Sequence, residues 1–408
     1  MPAQKLLSQK DLKKVPQFIS EGTSLAAYGT TPVNPNFTAA GQRSMLTPAY
    51  EPEWVDKDFG GNIDRQGIIK VREKNTLTYK GRLMEADIDL IKWAMNKPVG
   101  GNTPQQSRTW MDSWSNNSGT ETYRVFRGCK VISSSITTTP NDVVMLEIQM
   151  NVKQAIESTT NPITLGTGSF ADEETGTPIR FKDLGDFYYG ANNVNFRNST
   201  VTTTYTLRKQ DSNGSETDLY VDHSLRRITG SVDIFKSNAN FNEDARAGEQ
   251  KRGYMTIHEK GTDGVASRRS PTSGGNYVKI EAVIPGAWGN GIDVQIAKGA
   301  SSLNIVTNGL FVKINALTSS SLQSVRDAIN NDPEASLLIK ATKVGGSNST
   351  IIDALGKAKL AGGSDANSKL IFNRFRWLPS SEDLIDQTEA TMESKSFEAD
   401  EIEVFKAA

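Results

Sequence analysis

Apolar and polar residues alternate along residues 143–153, where Leu146, Ile148, Met150 and Val152 are separated by polar side chains. A strand that is buried on one face only has this period of two. Similar alternating or β-branched runs occupy residues 68–73, 77–80, 123–134, 202–207, 228–235, 253–257 and 370–377. Gly, Asn, Asp and Pro separate many of these runs and favour turns. The pattern therefore predicts a mainly β protein.

Two stretches have helical spacing instead. Residues 85–96 place apolar side chains three and four positions apart and are followed by Pro98, which predicts a short helix. Ser320 is the predicted N-cap of a second helix. The apolar face of this second helix comprises Leu322, Val325, Ala328 and Ile329. The second helix and its neighbouring strands predict a small α+β module over residues 276–363.

The changes in pattern divide the chain into segments. Residues 1–60 carry Pro32, Pro35, Pro48 and Pro52, which favour extended backbone and predict an arm over a neighbouring subunit or a mobile lead-in. The segments are an N-terminal arm (1–60), a first β domain (61–158), a linker (159–186), a second β domain (187–260 and 368–408) and the α+β module inserted into it (276–363).

The second β domain is interpreted as a copy of the first. The sequence EATMESK, residues 389–395, aligns with EIQMNVK, residues 147–153, and the two share Glu, Met and Lys at the same positions. In both places the closing strand is preceded by another strand and a connector. An internal repeat of this kind predicts two related domains in one chain.

Charge and cysteine content exclude several functions. The chain has 46 Lys and Arg against 47 Asp and Glu, so it lacks the basic field that drives non-specific binding to nucleic acid. A single cysteine, Cys129, cannot form an intrachain disulfide, and its apolar neighbours predict a buried thiol. Residues 1–20 lack a continuous apolar run, and no segment is apolar enough to span a bilayer, so a soluble protein without membrane contact is expected.

Known catalytic motifs are absent from the sequence, and no enzymatic activity, catalytic residue, cofactor or metal site is predicted. An oxygen-ligand Ca²⁺ or Mg²⁺ site from Asp and Glu stays open. A glycine-rich segment includes Pro285, Gly286, Trp288, Gly289 and Asn290. It lacks the following helix and lysine of a phosphate loop, so a turn is predicted there. The aromatic and basic alternation over residues 372–377 favours a core or interface strand over a base-stacking platform.

Three features together resemble proteins of long-tailed bacteriophages. Residues 126–134 (FRGCKVISS), a turn and residues 143–153 are similar to the final hairpin of tail tube proteins. The short helix at 86–96 matches the single flanking helix of that fold. Residues 284–294 (IPGAWGNGIDV), with the turn GGSD at 362–365, resemble a module of contractile tail sheath subunits.

The resemblance implies a β-sandwich or barrel fold whose copies join into stacked rings of a tail tube, located in the virion and assembled in the host cytoplasm. Its partners would be further copies of itself, as trimeric or hexameric rings, other tail proteins, and viral DNA in transient passage without specific binding. The residues expected to line the lumen are Glu147, Gln149, Asn151, Glu389, Thr391 and Glu393, whose alternative is an ordinary exposed sheet face. A contractile sheath subunit and another tail or capsid protein are alternatives. A carbohydrate-binding β protein, or an enzyme with an oxygen-ligand metal, is an alternative of a different class.

Overall fold

Strands dominate the fold, which is described here by a computed structural model, and the predicted mainly β class is confirmed. The structure describes residues 16–22, 24–56, 68–96, 105–115, 120–171, 176–190, 192–210, 220–235, 241–272, 274–379 and 392–406. The strands are β1 (Gln17–Ser20), β2 (Thr38–Ala39), β3 (Gln42–Asp56), β4 (Ile68–Arg82), β5 (Arg108–Ser115), β6 (Glu121–Thr138), β7 (Met145–Val152), β8 (Gln154–Ser158), β9 (Phe187–Tyr189), β10 (Asn192–Asn193), β11 (Phe196–Gln210), β12 (Tyr220–Phe235), β13 (Lys251–His258), β14 (Ser267–Ser270), β15 (Tyr277–Ala282), β16 (Asp293–Lys298), β17 (Asn304–Asn308), β18 (Phe311–Ala316), β19 (Ile339–Val344), β20 (Leu355–Lys359), β21 (Ser368–Trp377), β22 (Met392–Ala399) and β23 (Glu401–Phe405). The α-helices are α1 (Ile88–Met95), α2 (Phe241–Ala247) and α3 (Leu322–Asn331).

The chain forms two compact units. Unit 1 comprises Met1–Lys182, Arg197–Asp233 and Ser394–Glu403, and unit 2 comprises Asp183–Phe196, Ile234–Glu393 and Val404–Ala408. Residues 197–233 and 394–403, which the sequence analysis placed in a second β domain, therefore belong to the unit that contains the first. They join it through long-range strand pairing, such as β11 with β6.

Unit 1 is built from two sheets that share β6. One half of β6 pairs with β5 and β8, and the other half pairs with β7 and β11. The wide sheet has the strand order β3-β4-β7-β6-β11-β12-β22, and the second sheet contains β2, β1, β5, β6 and β8. Tyr79 of the wide sheet packs against Trp110 of the second sheet, with ring centroids 5.2 Å apart. The core of unit 1 lies between these sheets.

The segment predicted as an N-terminal arm is part of this unit from residue 17 onward. β1 pairs with β5, and β3 pairs with β4 over almost its whole length. The prolines do favour extended backbone, but that backbone is used in strands of the same chain. Residues 1–15 lie outside the described part of the chain.

Both predicted helices are present near their predicted positions. Residues 85–87 form a 3₁₀ turn that leads into α1, whose inward side chains are buried. For α3 the N-cap is Ser321, not Ser320, because the Ser321 hydroxyl accepts a hydrogen bond from the Ser324 N–H at 3.1 Å. Within the described residues, no helix is long and apolar enough to cross a bilayer.

Unit 2 contains strands β9, β10, β13 and β21, a three-stranded sheet (β14-β15-β19) and a four-stranded sheet (β17-β18-β16-β20). The rings of Phe375 and Trp377 on β21 are buried and pack edge to face, with centroids 4.9 Å apart. They are therefore core residues, and a base-stacking platform on β21 is excluded. A second apolar core links both small sheets and α3 to Tyr254 of β13 and Ile371 of β21.

Candidate functional site

Strand β7 separates a buried apolar face from an exposed polar one, as its alternation predicts. Leu146, Ile148 and Met150 are fully buried in the core, whereas Glu147 and Gln149 on the opposite face are exposed. The period of two in the sequence is therefore the period of burial in the sheet. This strand lies in the middle of the wide sheet, between β4 and β6.

The polar face continues across the neighbouring strands in two aligned rows. The registers place Lys80, Glu147, Ser135 and Thr202 side by side in the first row. The second row comprises Thr78, Gln149, Ser133 and Thr204. We refer to these eight residues as the polar face. Six of them are uncharged, and four are short Ser or Thr side chains on β6 and β11.

Two ion pairs lie on this side of the wide sheet. The Lys80 ammonium lies 3.5 Å from the Glu147 carboxylate, and the Lys74 ammonium lies 3.3 Å from that of Glu51. Exposed pairs of this kind add little to stability, but each cancels its own charge. The Glu147 carboxylate is therefore not an isolated negative charge on the polar face.

Asn151 differs from the other two β7 candidates. It lies on the same face as Glu147 and Gln149 but is buried. Its register partner Lys130 is also buried, with its ammonium 5.6 Å from the ring centroid of Tyr28. This end of the polar face is covered by other parts of unit 1, so Asn151 cannot line an open surface.

Of the three lumen candidates near the C-terminus, only Glu393 lies in the described part of the chain. Glu389 and Thr391 lie outside the described residues. Glu393 begins the alternation of β22 in step with Lys395 and Phe397, which are buried, while Ser394 and Ser396 are exposed. Glu393 is half-buried and lies on the same side of β22 as Lys395 and Phe397, and its place in a lumen stays a prediction.

The glycine-rich turn of the module is held in place by its contacts with Gly363 and Asp365. Gly286 has a φ of 114°, and a Cβ at this position would collide with the carboxylate of Asp365. That carboxylate accepts a hydrogen bond from the Ala287 N–H at 2.8 Å. Asn290 exchanges two hydrogen bonds with the backbone of Gly363, at 2.8 and 3.0 Å. The two sequence segments that resemble sheath subunits, 284–294 and 362–365, thus meet in space.

The remaining turn residues also serve packing. Trp288 is buried in the module core, with the Arg252 guanidinium 4.6 Å from its ring centroid. A Cβ on Gly289 would press on the Cβ atoms of Ala282 and Ala266. The Pro285 carbonyl accepts a hydrogen bond from a buried lysine, Lys369, at 2.7 Å. These contacts explain the residues of the turn without a bound phosphate.

Reactive groups are not brought together in the described part of the chain. Burial strongly raises the pKa of the Cys129 thiol, and the nearby Glu21 carboxylate raises it further, so the thiolate that acts as a nucleophile is suppressed. No group of three or more His, Cys, Asp and Glu side chains in the described residues is arranged to hold a metal ion. Among those residues, the polar face is the feature best placed for a functional contact.

Strand β3 forms the outer edge of the wide sheet and carries two prolines. Pro48 and Pro52 are register partners of Leu77 and Glu73 on β4. Because proline has no N–H to donate, its backbone at these positions faces away from β4. The outward edge therefore presents carbonyl acceptors at residues 48 and 52 but no donors, which hinders pairing with another strand there.

Replacing both prolines should allow this edge to pair with strands of other molecules. In the variant Pro48→Thr/Pro52→Thr we expect two new outward N–H groups and faster concentration-dependent association, measured by light scattering. The control Thr47→Val/Ala49→Thr changes the same strand without adding donors and should associate like the unmodified protein. Equal association of all three proteins would show that the prolines do not protect the edge.

Sequence reasoning missed the lateral extent of the polar face. Lys80, Ser133, Ser135, Thr202 and Thr204 lie beside the predicted residues only because four strands are in register. The run TTTYT at 202–206 does show the same alternation, and this signal was available in the sequence. The pairing partner and the register were not.

Comparison with known proteins gives no assignment. No protein-family model matches the sequence, and no curated protein matches it significantly.

Proposed function

We propose that this chain is a structural subunit of a viral tail tube, in which copies assemble into stacked rings and the polar face lines the lumen. The observation that carries this proposal is the pair of polar rows on the wide sheet, backed by a fully apolar core. A conduit for DNA needs a wall that is wetted but does not hold phosphates. Short hydroxyl groups and internally paired charges meet both requirements.

The long hairpin of β3 and β4 supports assembly. Each strand has 15 residues, but β4 pairs with β7 only over residues 75–82. The remainder of the hairpin extends past the sheet as a two-stranded ribbon, which needs further packing to be stable. In the proposed ring this ribbon packs on the next subunit.

The hairpin of β6 and β7, which resembles the final hairpin of tail tube proteins, is less suitable for joining neighbouring subunits. Strand β7 is paired with β4 on one side and β6 on the other, and β6 is itself paired with β5, β8 and β11. Its backbone groups are satisfied within the chain. We therefore assign the intersubunit role to the β3–β4 ribbon instead.

Electron microscopy tests the assembly directly. The full chain, purified and concentrated stepwise, should form rings or tubes with a central channel in negative stain. A variant with the ribbon shortened by deletion of residues 53–71 should keep unit 1 folded but lose the rings. Compact monomers of the unmodified protein under every solution condition would overturn the proposal.

The proposed role of the polar face as the wall of the lumen leads to a second prediction. Glu147→Lys replaces the partner of Lys80 with a second cation, and we expect a loss of no more than about 1 kcal/mol of stability because the pair is exposed. Assembly should persist, while retention of duplex DNA by the protein, measured by fluorescence polarisation, should rise. Glu157→Lys on β8, with the same charge change away from the polar face, is the control. An equal rise for both variants would place the DNA-facing surface elsewhere.

A further inference from the structure

The four-stranded sheet of the α+β module has one face that is buried in the module core and one that is exposed to solvent. We refer to the exposed side as the open face. Val294, Ile296, Val312 and Ile314 point into the module core and are buried. On the opposite side, the Val306 side chain is 50% exposed and that of Lys357 is 55% exposed. The open face therefore meets water within this unit, although it contains the side chains of Phe311 and Val306.

Three lysines lie on this face, and the position of Lys357 is restrained by its neighbours. The Lys357 ammonium lies 4.4 Å from the ring centroid of Phe311 and 3.8 Å from the carboxylate of Asp293. A lysine over an aromatic ring is restrained by a cation–π contact and loses less entropy when it binds an anion. Lys313 and Lys359 share the face, so three lysines stand against one carboxylate.

Amide and aliphatic groups complete the surface. Asn315 donates a hydrogen bond to the Asn304 side chain at 2.8 Å, which leaves further donor and acceptor capacity on both amides. Val306 is the register partner of Lys313, and the exposed Leu310 adjoins Phe311. Lysines, amides and an exposed aliphatic side chain thus share a surface four strands wide, roughly 14 Å across.

We propose that this face binds an anionic polysaccharide. Such a polymer presents apolar C–H surfaces, hydroxyl groups and negative charges together, and these match the aliphatic, amide and lysine groups of the face. A nucleic acid strand is the less suitable occupant, because base stacking requires a bare aromatic ring and Lys357 covers that of Phe311. The inference does not depend on the tube proposal, since the face lies wholly within the module.

The test uses the full-length protein and three defined polymers. Binding of fluorescent dextran sulfate, neutral dextran of equal length and a single-stranded dT oligomer is measured by fluorescence polarisation at two salt concentrations. Lys313→Gln/Lys357→Gln removes two cations of the face. Lys340→Gln/Lys343→Gln removes two from β19 in the same module and is the matched control. Thermal unfolding of each variant checks that the fold is retained.

We expect dextran sulfate to bind, and the Lys313→Gln/Lys357→Gln variant to bind it about tenfold more weakly. The control should change binding less than about twofold. Val306→Ser, which removes an aliphatic contact but no charge, should also weaken binding. Tighter binding of the dT oligomer would identify a nucleic-acid surface and overturn the proposal. Equal losses in the two lysine variants, or no binding of dextran sulfate at all, would overturn it as well.

Discussion

Glu21→Ala is expected to destabilise unit 1 by about 4 kcal/mol, because it removes the acceptor of three buried donors and one partly buried donor. The Glu21 carboxylate accepts hydrogen bonds from the Ser107 and Thr109 hydroxyls at 2.6 and 2.7 Å. It also accepts from the backbone N–H groups of Gly29 and Gly128 at 2.8 and 2.9 Å. Each donor left without a partner in the interior costs about 1–3 kcal/mol. A loss of this size is a large share of the stability of an ordinary domain.

Cys129 provides the readout for this variant. It is the only cysteine of the chain and is fully buried in unit 1, so a thiol reagent reacts with it only when the unit opens. We expect Glu21→Ala to accelerate labelling of Cys129 by roughly a thousandfold, the factor that corresponds to about 4 kcal/mol. Glu157→Ala, at an exposed position of the same unit, should leave the labelling rate almost unchanged. Similar rates for the two variants would show that Glu21 does not hold the unit together.

Glu21 also illustrates what the sequence hides. It lies among residues interpreted as a proline-rich arm, and nothing in the local pattern indicates that its side chain is buried. Its four donors come from residues up to 107 positions away in sequence. Local pattern reports whether a segment is extended, which was correct here, but not which strand it pairs with. The arm is therefore part of a sheet for reasons that only long-range pairing supplies.

Elements with strong local periodicity were predictable. Strand β7 and the residues of its apolar face follow directly from the alternation, and α1 follows from the helical spacing. Asn151 continues the alternation of β7, yet it is buried, and Tyr28, more than 120 residues earlier, lies against its register partner Lys130. The N-cap of α3 lies one residue later than predicted. Ser320 and Ser321 are both suitable in sequence, and only the backbone geometry distinguishes them.

The interpretation of a duplicated domain shows a similar limit. The match between residues 147–153 and 389–395 rests on three identities. The structure places 147–153 in unit 1, whereas the boundary between the two units falls within the second segment, after Glu393. Whether the strands descend from a repeat stays a prediction. The assignment of Glu389, Thr391 and Glu393 to the lumen depended on that alignment, and Glu393 lies on the same side of β22 as the buried Lys395 and Phe397.

The second large effect is predicted at the base of the α+β module. Asp263 accepts hydrogen bonds from the backbone N–H groups of Ala366 and Asn367 at 2.9 and 3.1 Å, and its carboxylate lies 2.5 Å from the Lys369 ammonium. Lys369 is almost completely buried. It also donates to the Pro285 carbonyl of the glycine-rich turn. One ion pair thus joins the turn, β21 and the loop before β14.

Asp263→Ala should cost about 3–5 kcal/mol, because it removes the carboxylate that pairs with the buried Lys369 ammonium. The double variant Asp263→Ala/Lys369→Met removes both charges, and an apolar pair in the same place should recover a large part of the loss. Urea unfolding gives the free energies, and hydrogen exchange of residues 277–298 shows whether the module itself loosens. Asp353→Ala, at an exposed position of the module, should change neither measurement. If the double variant is as unstable as Asp263→Ala, the cost comes from the lost hydrogen bonds of the Ala366 backbone and of the Asn367 backbone and side chain, not from the unpaired lysine. Unchanged exchange in the single variant would mean that the ion pair does not fix the module to β21.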